Sequence, residues 1–416
     1  TADYYIPMLA HVPMESPAAT ARVANGKAEI WACCQGPQAG VDNVAQRLGI
    51  PKENVTVNQT FLGGGFGRKS KVDFLVEAAL LSKAMDGTPV KVVWTREDDL
   101  QHDYYHAVSA EHLEAGLDDA GKVTGWLHRS AAPSIFSIFM PDPKHEQPLE
   151  LGMGLVDTPF NVANMRMENP EAAAQTRIGW FRAVYNVPHA FAIQSFAAEV
   201  AAAAGKDQKD FLLDLLGPAR KMNNHTELAD SWNYGEDPAK YPYDTARLRG
   251  VIELAAKQSG WGKKLPAGEG MGIAAHRSFA TYTCAVFHVK VNKGELTIPR
   301  VDVAVDCGPQ VNPDRVKAMM EGSAIMGVAI ATLGEITFKD GATQQGNFDT
   351  FQVTRLNAAP KQIFVHSVPW ASYDQPMGGA GEPGLPPIAP ALCNAIFAAT
   401  GKRIRTLPIR DQLKQA

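Results

Sequence analysis

Cysteine is scarce in this 416-residue sequence: Cys33, Cys34, Cys284, Cys307 and Cys393 are its five, too few and too scattered for a disulfide framework or a Cys-x-x-Cys metal site. Long apolar runs are missing as well. The best candidate, residues 190–204, is interrupted by Gln194, Ser195 and Glu199, so no spanning helix is expected. Nor is there a surplus of charge, since 40 basic and 44 acidic residues give −4, which offers no electrostatic basis for binding nucleic acid or an anionic membrane. The sequence opens on Thr1 with neither Met nor a charged-then-apolar leader, and the expectation is a removed signal or a missing amino-terminal part. Thr1 as the nucleophile of an acyl-transfer hydrolase has no partner residue nearby. What is present, 45% hydrophobic and 20% charged residues, suffices for two or three packed cores.

Local patterning gives the first elements. Residues 27–33 read as a strand, followed by a helix with Val41, Val44, Ala45 and Leu48 on one face, stopped by Gly49 and Pro51. Gln35 sits at that strand-to-helix junction, either facing a ligand or serving as an ordinary turn residue. Residues 54–61 alternate as a strand, a helix covers about 72–85, and 91–94 form a further strand. Between them lies Leu62-Gly63-Gly64-Gly65-Phe66-Gly67-Arg68-Lys69-Ser70. A phosphate loop needs Lys directly after its last Gly, and Arg68 intervenes; the dinucleotide spacing fails at its third glycine. A nucleotide-dependent enzyme using residues 63–70 stays as an alternative, as does a non-catalytic partner module. The surviving reading is a loop whose backbone N–H groups can hold an anionic or oxo ligand.

Further along, 102–122 read as a strand pair turning at Asp118. The segment 135–140 is either the wall of an apolar channel, with Phe136 and Phe139, or a core strand. Helices are expected up to about 204, over 207–216 and over 245–259, with a polar boundary at 223–243 between them. Strands follow at 281–291, 297–306, 335–338 and 362–368, and a helix opens at Asn312-Pro313 with a methionine stripe read as core.

The stretch from Met377 to Pro390 holds one carboxylate, Glu382, among four glycines and four prolines. Gly378, Gly379 and Gly381 are expected at positive φ, the prolines stiffen the support, and a short apolar helix closes at Gly401.

Gln35, the 63–69 loop, the segment 89–98 and Gly381-Glu382-Pro383 resemble, in that order, the molybdenum-binding large subunit of the xanthine oxidase family of hydroxylases, and His11-Val-Pro-Met-Glu15 also matches a pattern of that family. Residues 381–408 most resemble the isoquinoline 1-oxidoreductase beta branch. The resemblance implies an α+β molybdopterin-binding fold of two mixed α/β subdomains, 1–235 and 236–416, with the cofactor between them. It implies a molybdenum–molybdopterin cytosine dinucleotide held through its dithiolene with no direct protein ligand, and [2Fe-2S] clusters on a partner subunit. Glu382 is the implied general base in oxidation of an aldehyde or N-heteroaromatic carbon, with water supplying the oxygen. Gln35, Gly64, Gly65, Phe66, Gly67, Arg182, Ala183, Gly379, Ala380 and Gly381 are the implied cofactor-binding residues, and Phe136, Phe139, Trp180 and Tyr185 the substrate channel. Two departures stand out. No arginine lies between Ser130 and Met165, where purine-specific relatives place one, and no Met-Gly-Gln-Gly tetrapeptide occurs. The expectation is a carboxy-terminal half that works with an amino-terminal half, a small [2Fe-2S] subunit and a cytochrome c or flavin subunit, in a bacterial periplasmic or membrane-associated setting.

Overall fold

The computed structural model describes residues 1–222 and 232–415. Of the boundary expected at 223–243, the part 223–231 lies outside the described residues.

Three four-stranded sheets organise the described residues. The first runs Ala2–Ile6, Ser109–Leu117, Val123–Ala131, Met165–Glu168, with only the last pair parallel. In the second, Lys27–Ala32 pairs in parallel with Val55–Gln59 and antiparallel with Ala18–Ala24, which also pairs with Val90–Val93. Ala2–Ile6 and Lys27–Ala32 alternate buried and exposed residues, the period-2 signature of a strand with one face on a core. Helices Pro37–Leu48 and Asp73–Ala84 cover the second sheet's inner face.

The third sheet holds the largest core. Glu269–Ser278, Thr281–Asn292, Glu295–Asp306 and Ile363–Ser367 lie between helix Thr245–Ser259 and helix Ile388–Thr400. A Cβ at Gly270 or Gly272 would strike the backbone of the second of these helices, so the two glycines set how closely helix and sheet approach. That helix begins after Pro387 and ends at Gly401 with φ 75, where an L side chain is disfavoured. Helix Asn186–Ala203 is buried on nearly every face, because it crosses between the first and third sheets. Helix Pro313–Thr332 is capped by Asn312, whose side chain accepts from the Arg315 N–H at 3.1 Å.

Several expectations need correction. Residues 135–140 form no strand: Ile135–Ile138 is a short 3₁₀ turn, begun by the Ser134 hydroxyl accepting from the Phe136 N–H. The strand pair in 102–122 begins only at Ser109 and extends to Ala131, its turn closed by the Asp118 carboxylate accepting from the Ala120 and Lys122 N–H groups. In the 335–338 segment only Phe338 joins a two-residue ladder, while Ile336 bridges to Met8. Strand Glu269–Ser278 was missed, because buried on both faces it shows no alternation.

Candidate active site

Gln35 leaves strand Lys27–Ala32 just before the Pro37 helix, and its backbone N–H donates to the Lys69 carbonyl at 2.8 Å. Its side-chain Oε1 accepts from the Gly67 N–H at 3.1 Å. That commits the oxygen, and Gln35 lines a cavity of about 710 Å³. A Cβ on Gly65 would displace the Gln35 side chain by pressing on its Oε1, and the φ of Gly65 is not left-handed. At Gly67, by contrast, φ is 108 and a Cβ would overlap the Trp180 carbonyl oxygen. Gly64 and Phe66 are also at positive φ, and the Phe66 ring is 38% exposed at the cavity edge.

The two cations after this loop point inward. Arg68 is fully buried and forks onto Asp73 at 3.0 and 2.9 Å. Lys69, equally buried, donates to Glu15 Oε2 at 2.7 Å, and the same oxygen accepts from the Gly63 N–H at 2.8 Å. Neither cation is presented to a phosphate, and the nucleotide alternative loses its lysine.

Arg182 arrives from the loop preceding helix Asn186–Ala203. Its Nε donates to the Gly381 carbonyl at 2.7 Å and its Nη2 to the same oxygen, to Ser323 Oγ at 2.8 Å and to the Met319 carbonyl at 3.2 Å. A guanidinium fork thus ties two loops 199 residues apart to helix Pro313–Thr332. Ala183 and Val184 follow at φ 69 and 50, a conformation that costs non-glycine residues energy and is held only by surrounding structure.

Glu382 lies between these pieces, at the cavity wall. Its Oε2 is buried and has no hydrogen-bond partner among the described residues. Burial pushes its pKa from 4.5 up to about 7, against the opposing pull of the Arg182 guanidinium and the Ala183 N–H. The carboxyl therefore changes protonation near neutral pH, as suits a general acid or base. The glycines around it differ from expectation, since Gly378, Gly379 and Gly381 are not at positive φ. Gly378 is needed because a Cβ would collide with Thr281 Oγ1 and the Ala280 carbonyl. Gly379 donates its N–H to the Phe279 carbonyl at 2.8 Å and accepts from Thr281 Oγ1 at 2.6 Å. A Cβ on Gly381 would meet no atom within 4 Å.

Gln35, Phe66, Gly67, Arg182, Gly381 and Glu382 line one cavity; Gly64, Gly65, Ala183, Gly379 and Ala380 stand behind it. The expected channel residues stand apart. Phe136, Phe139 and Trp180 form an aromatic cluster under Lys71, whose Nζ is 4.7 Å from the Phe139 ring. Tyr185 is buried with its hydroxyl on the Pro133 carbonyl. The apolar wall comes instead from one face of helix Pro313–Thr332, with Ile325, Met326 and Ala329, and from Phe348 and Phe351 opposite. The methionine stripe is divided: Met320 is core, while Met319 and Met326 face the cavity. Sequence reading had missed Ser323 and the Phe348 wall. Only spacing along the helix marked the first, and nothing local marked the second.

Two models, each described as a molybdopterin cofactor-binding domain, match residues 1–213 and 218–360. The chain belongs to this molybdopterin cofactor-binding family. It is 30% identical over 98% of its length to 53% of the membrane-bound aldehyde dehydrogenase [pyrroloquinoline-quinone] of Gluconacetobacter polyoxogenes. It is also 30% identical, over 97% of its length, to 49% of the isoquinoline 1-oxidoreductase subunit beta of Brevundimonas diminuta. The chain spans about half the length of these curated relatives. The fold superposes on the aldehyde oxidoreductase of Desulfovibrio desulfuricans with TM-score 0.77 at 14% identity, covering 100% of this chain and 60% of that one. For quinoline 2-oxidoreductase of Pseudomonas putida the TM-score is 0.76 at 13% identity, with 99% and 75% covered.

The donor set fits the family's cofactor. Gln35 lines the cavity, Glu382 Oε2 is orphaned, and a Cβ on Gly381 would meet open space. Among the described residues no group of three or more His, Cys, Asp or Glu side chains is placed to hold a metal ion.

Proposed function

We propose that this chain is the base-bearing part of a molybdenum hydroxylase that oxidises an aldehyde or N-heteroaromatic carbon with oxygen from water, passing electrons to a separate [2Fe-2S] subunit. The observation that carries this reading is Glu382, a half-neutralised carboxyl with an unpartnered oxygen on the wall of a largely apolar cavity. When bound, the molybdenum–molybdopterin group, as its cytosine dinucleotide, supplies the electron sink and the activated water oxygen. Glu382 would be placed to take up a proton at its unpartnered Oε2 during the oxidation. Arg182 holds the Gly381 carbonyl and so fixes where that carboxylate sits. The Gln35 side chain and the backbone N–H groups of Phe66 and Ala183 would help hold the cofactor, and Gly67, its N–H committed to Gln35, would let the loop come close. The apolar wall excludes water and suits a substrate with few polar groups over a purine with its polar edges, in keeping with the missing arginine.

Further chains complete the site. Phe61 is fully exposed beside Leu62, Phe66 and Met14, all exposed around the glycine loop, an apolar surface of the kind a partner covers. An amino-terminal half, a small [2Fe-2S] subunit and a cytochrome c or flavin subunit are the proposed partners, and no nucleic acid is. A periplasmic or membrane-associated bacterial setting is proposed with them; one relative is described as membrane-bound. The test is metal analysis. The chain expressed alone should lack molybdenum, because with half the donors absent each lost charge-assisted hydrogen bond costs roughly 1.5–3 kcal/mol. Co-expression with an amino-terminal half and a [2Fe-2S] subunit should restore molybdenum and dye-linked oxidation. Full molybdenum loading of the isolated chain sinks the half-site idea, and a pyrroloquinoline quinone in place of molybdenum in the assembled enzyme sinks the hydroxylase.

A further inference from the structure

The stretch from His11 to Glu15 ties together the two loops that flank the cavity, and it does so under strain. Val12, β-branched and on the cavity wall, is at φ 46, a backbone state such a residue holds only where surrounding contacts over-determine it. Those contacts lie on both sides. After it, the Pro13 and Met14 carbonyls accept from Arg96 Nη2 at 2.6 and 3.0 Å. Glu15 donates its N–H to the Gly63 carbonyl at 3.0 Å, and the Gly63 N–H returns a bond to Glu15 Oε2 at 2.8 Å. Before it stands His11, 3% exposed and on the same cavity wall.

The His11 ring meets an acceptor at each nitrogen. Nδ1 lies 2.9 and 3.0 Å from the two Asp103 carboxyl oxygens, and Nε2 lies 3.0 Å from the Trp180 carbonyl oxygen. A carbonyl has no proton to give, so Nε2 donates. Asp103 has none either: its oxygens each accept a backbone N–H at 2.7 Å, from Tyr104 and from His11, Nδ1 sits evenly between them, and Arg68 Nε is 3.4 Å from Oδ1. Burial pushes the Asp103 pKa up, but the His11 and Arg68 charges and the His11 hydrogen bonds outweigh it and hold the carboxyl below its usual range. Nδ1 therefore donates too. The Trp180 oxygen fixed in this way stands where a Cβ on Gly67 would be, and Phe181 and Arg182, next along the chain, line the cavity.

We propose that His11 is a positioning residue which, as an imidazolium donating from both ring nitrogens, holds the Trp180 carbonyl against Gly67 and so keeps the glycine loop and the Arg182 loop at the spacing the cofactor needs. The last step rests on the reading of the cavity as the cofactor's. Removing either ring proton sets a nitrogen lone pair against an oxygen. A carbonyl repels that lone pair less than a carboxylate does, so a neutral His11 keeps Asp103 and releases Trp180. The other charged and titratable groups around the pair are Arg68 with Asp73, Arg96 with Asp99, and His106 across the Phe181 ring. Burial holds His106 down at about 4, a neutral ring. Among the described residues none of these donates to the Trp180 carbonyl in place of His11.

The test reads the protons directly. Neutron diffraction from the complete enzyme exchanged into D2O at about pH 7.5, with and without molybdenum, should show deuterium on both His11 ring nitrogens and none on the Asp103 carboxyl. A bare Nε2, or a deuterium on Asp103, overturns the proposal whatever the cavity binds. D103N removes the counter-charge, so its His11 should carry one ring proton at about pH 8.5 and two at about pH 5.5. Molybdenum should then leave D103N about tenfold faster than the parent at the higher pH and within about twofold of the parent's rate at the lower. Loss faster by the same factor at both pH values means that Asp103 and His11 only support the fold, and overturns the positioning role. If D103N does not fold, the proton positions in the parent decide. Doubly deuterated His11 in an enzyme that never carries molybdenum would instead overturn the reading of the cavity, an outcome separate from the neutron result.

Discussion

Replacing Glu382 by Gln should make the protein more stable and nearly inactive at the same time. The displacement of its pKa from 4.5 to about 7 means that ionising this carboxyl in the folded state costs roughly 3 kcal/mol more than in the unfolded chain. Because the folded pKa is raised, the native state binds more protons than the unfolded one between those two values. Stability therefore falls as pH rises from 4.5 to about 7 and stays lower above it. Gln, neutral and similar in shape, is free of this penalty. E382Q should thus be more stable than the parent by up to roughly 3 kcal/mol at about pH 8.5, with the gap closing toward pH 4. Denaturant unfolding at both pH values measures it. Turnover should fall by at least about a hundredfold, the usual scale for a lost general base, with cofactor content retained. A variant that keeps most of its turnover at saturating substrate removes Glu382 from the mechanism. A parent and variant of equal stability at alkaline pH would refute the burial argument for the raised pKa.

Other perturbations separate the remaining parts. Gly67→Ala forces a methyl into the Trp180 carbonyl at φ 108, so cofactor content should collapse, and normal molybdenum occupancy would show the loop to be a mere turn. Gly65→Val strikes Gln35 Oε1 and should lower molybdenum content before the melting temperature drops; the reverse order argues against a ligand-facing loop. Arg182→Lys loses the fork that holds Gly381, Ser323 and Met319 together and weakens the charge opposing the raised pKa, so the acid limb of the kcat profile should move to higher pH. An unshifted limb would mean that Arg182 does not act on Glu382.

Much of the fold was legible because its determinants are local. Alternation marked Lys27–Ala32 and Val55–Gln59, Asn312 and Pro313 announced a helix, and Gly401 closed another. Where a strand is buried on both faces, as at Glu269–Ser278, or a turn is held by one hydroxyl, as at Ser134, no period exists to be read.

For the site, the sequence by itself determined that a lone carboxylate, Glu382, stands on a stiff glycine and proline support before an apolar helix, and that a glycine-rich loop follows a strand. Only the tertiary structure decided that Arg182 reaches the Gly381 carbonyl, that Arg68 and Lys69 turn inward, and that the apolar wall beside Glu382 is helix Pro313–Thr332 and not the 135–140 segment. It also reassigned Gly378, where a Cβ would meet Thr281 Oγ1 and the Ala280 carbonyl and the φ is not left-handed. The reason is physical. Turn, cap and period preferences act within a few residues along the chain, whereas the burial that raises the Glu382 pKa and the contacts that require a missing Cβ arise between residues up to two hundred positions apart, once close packing has brought them together.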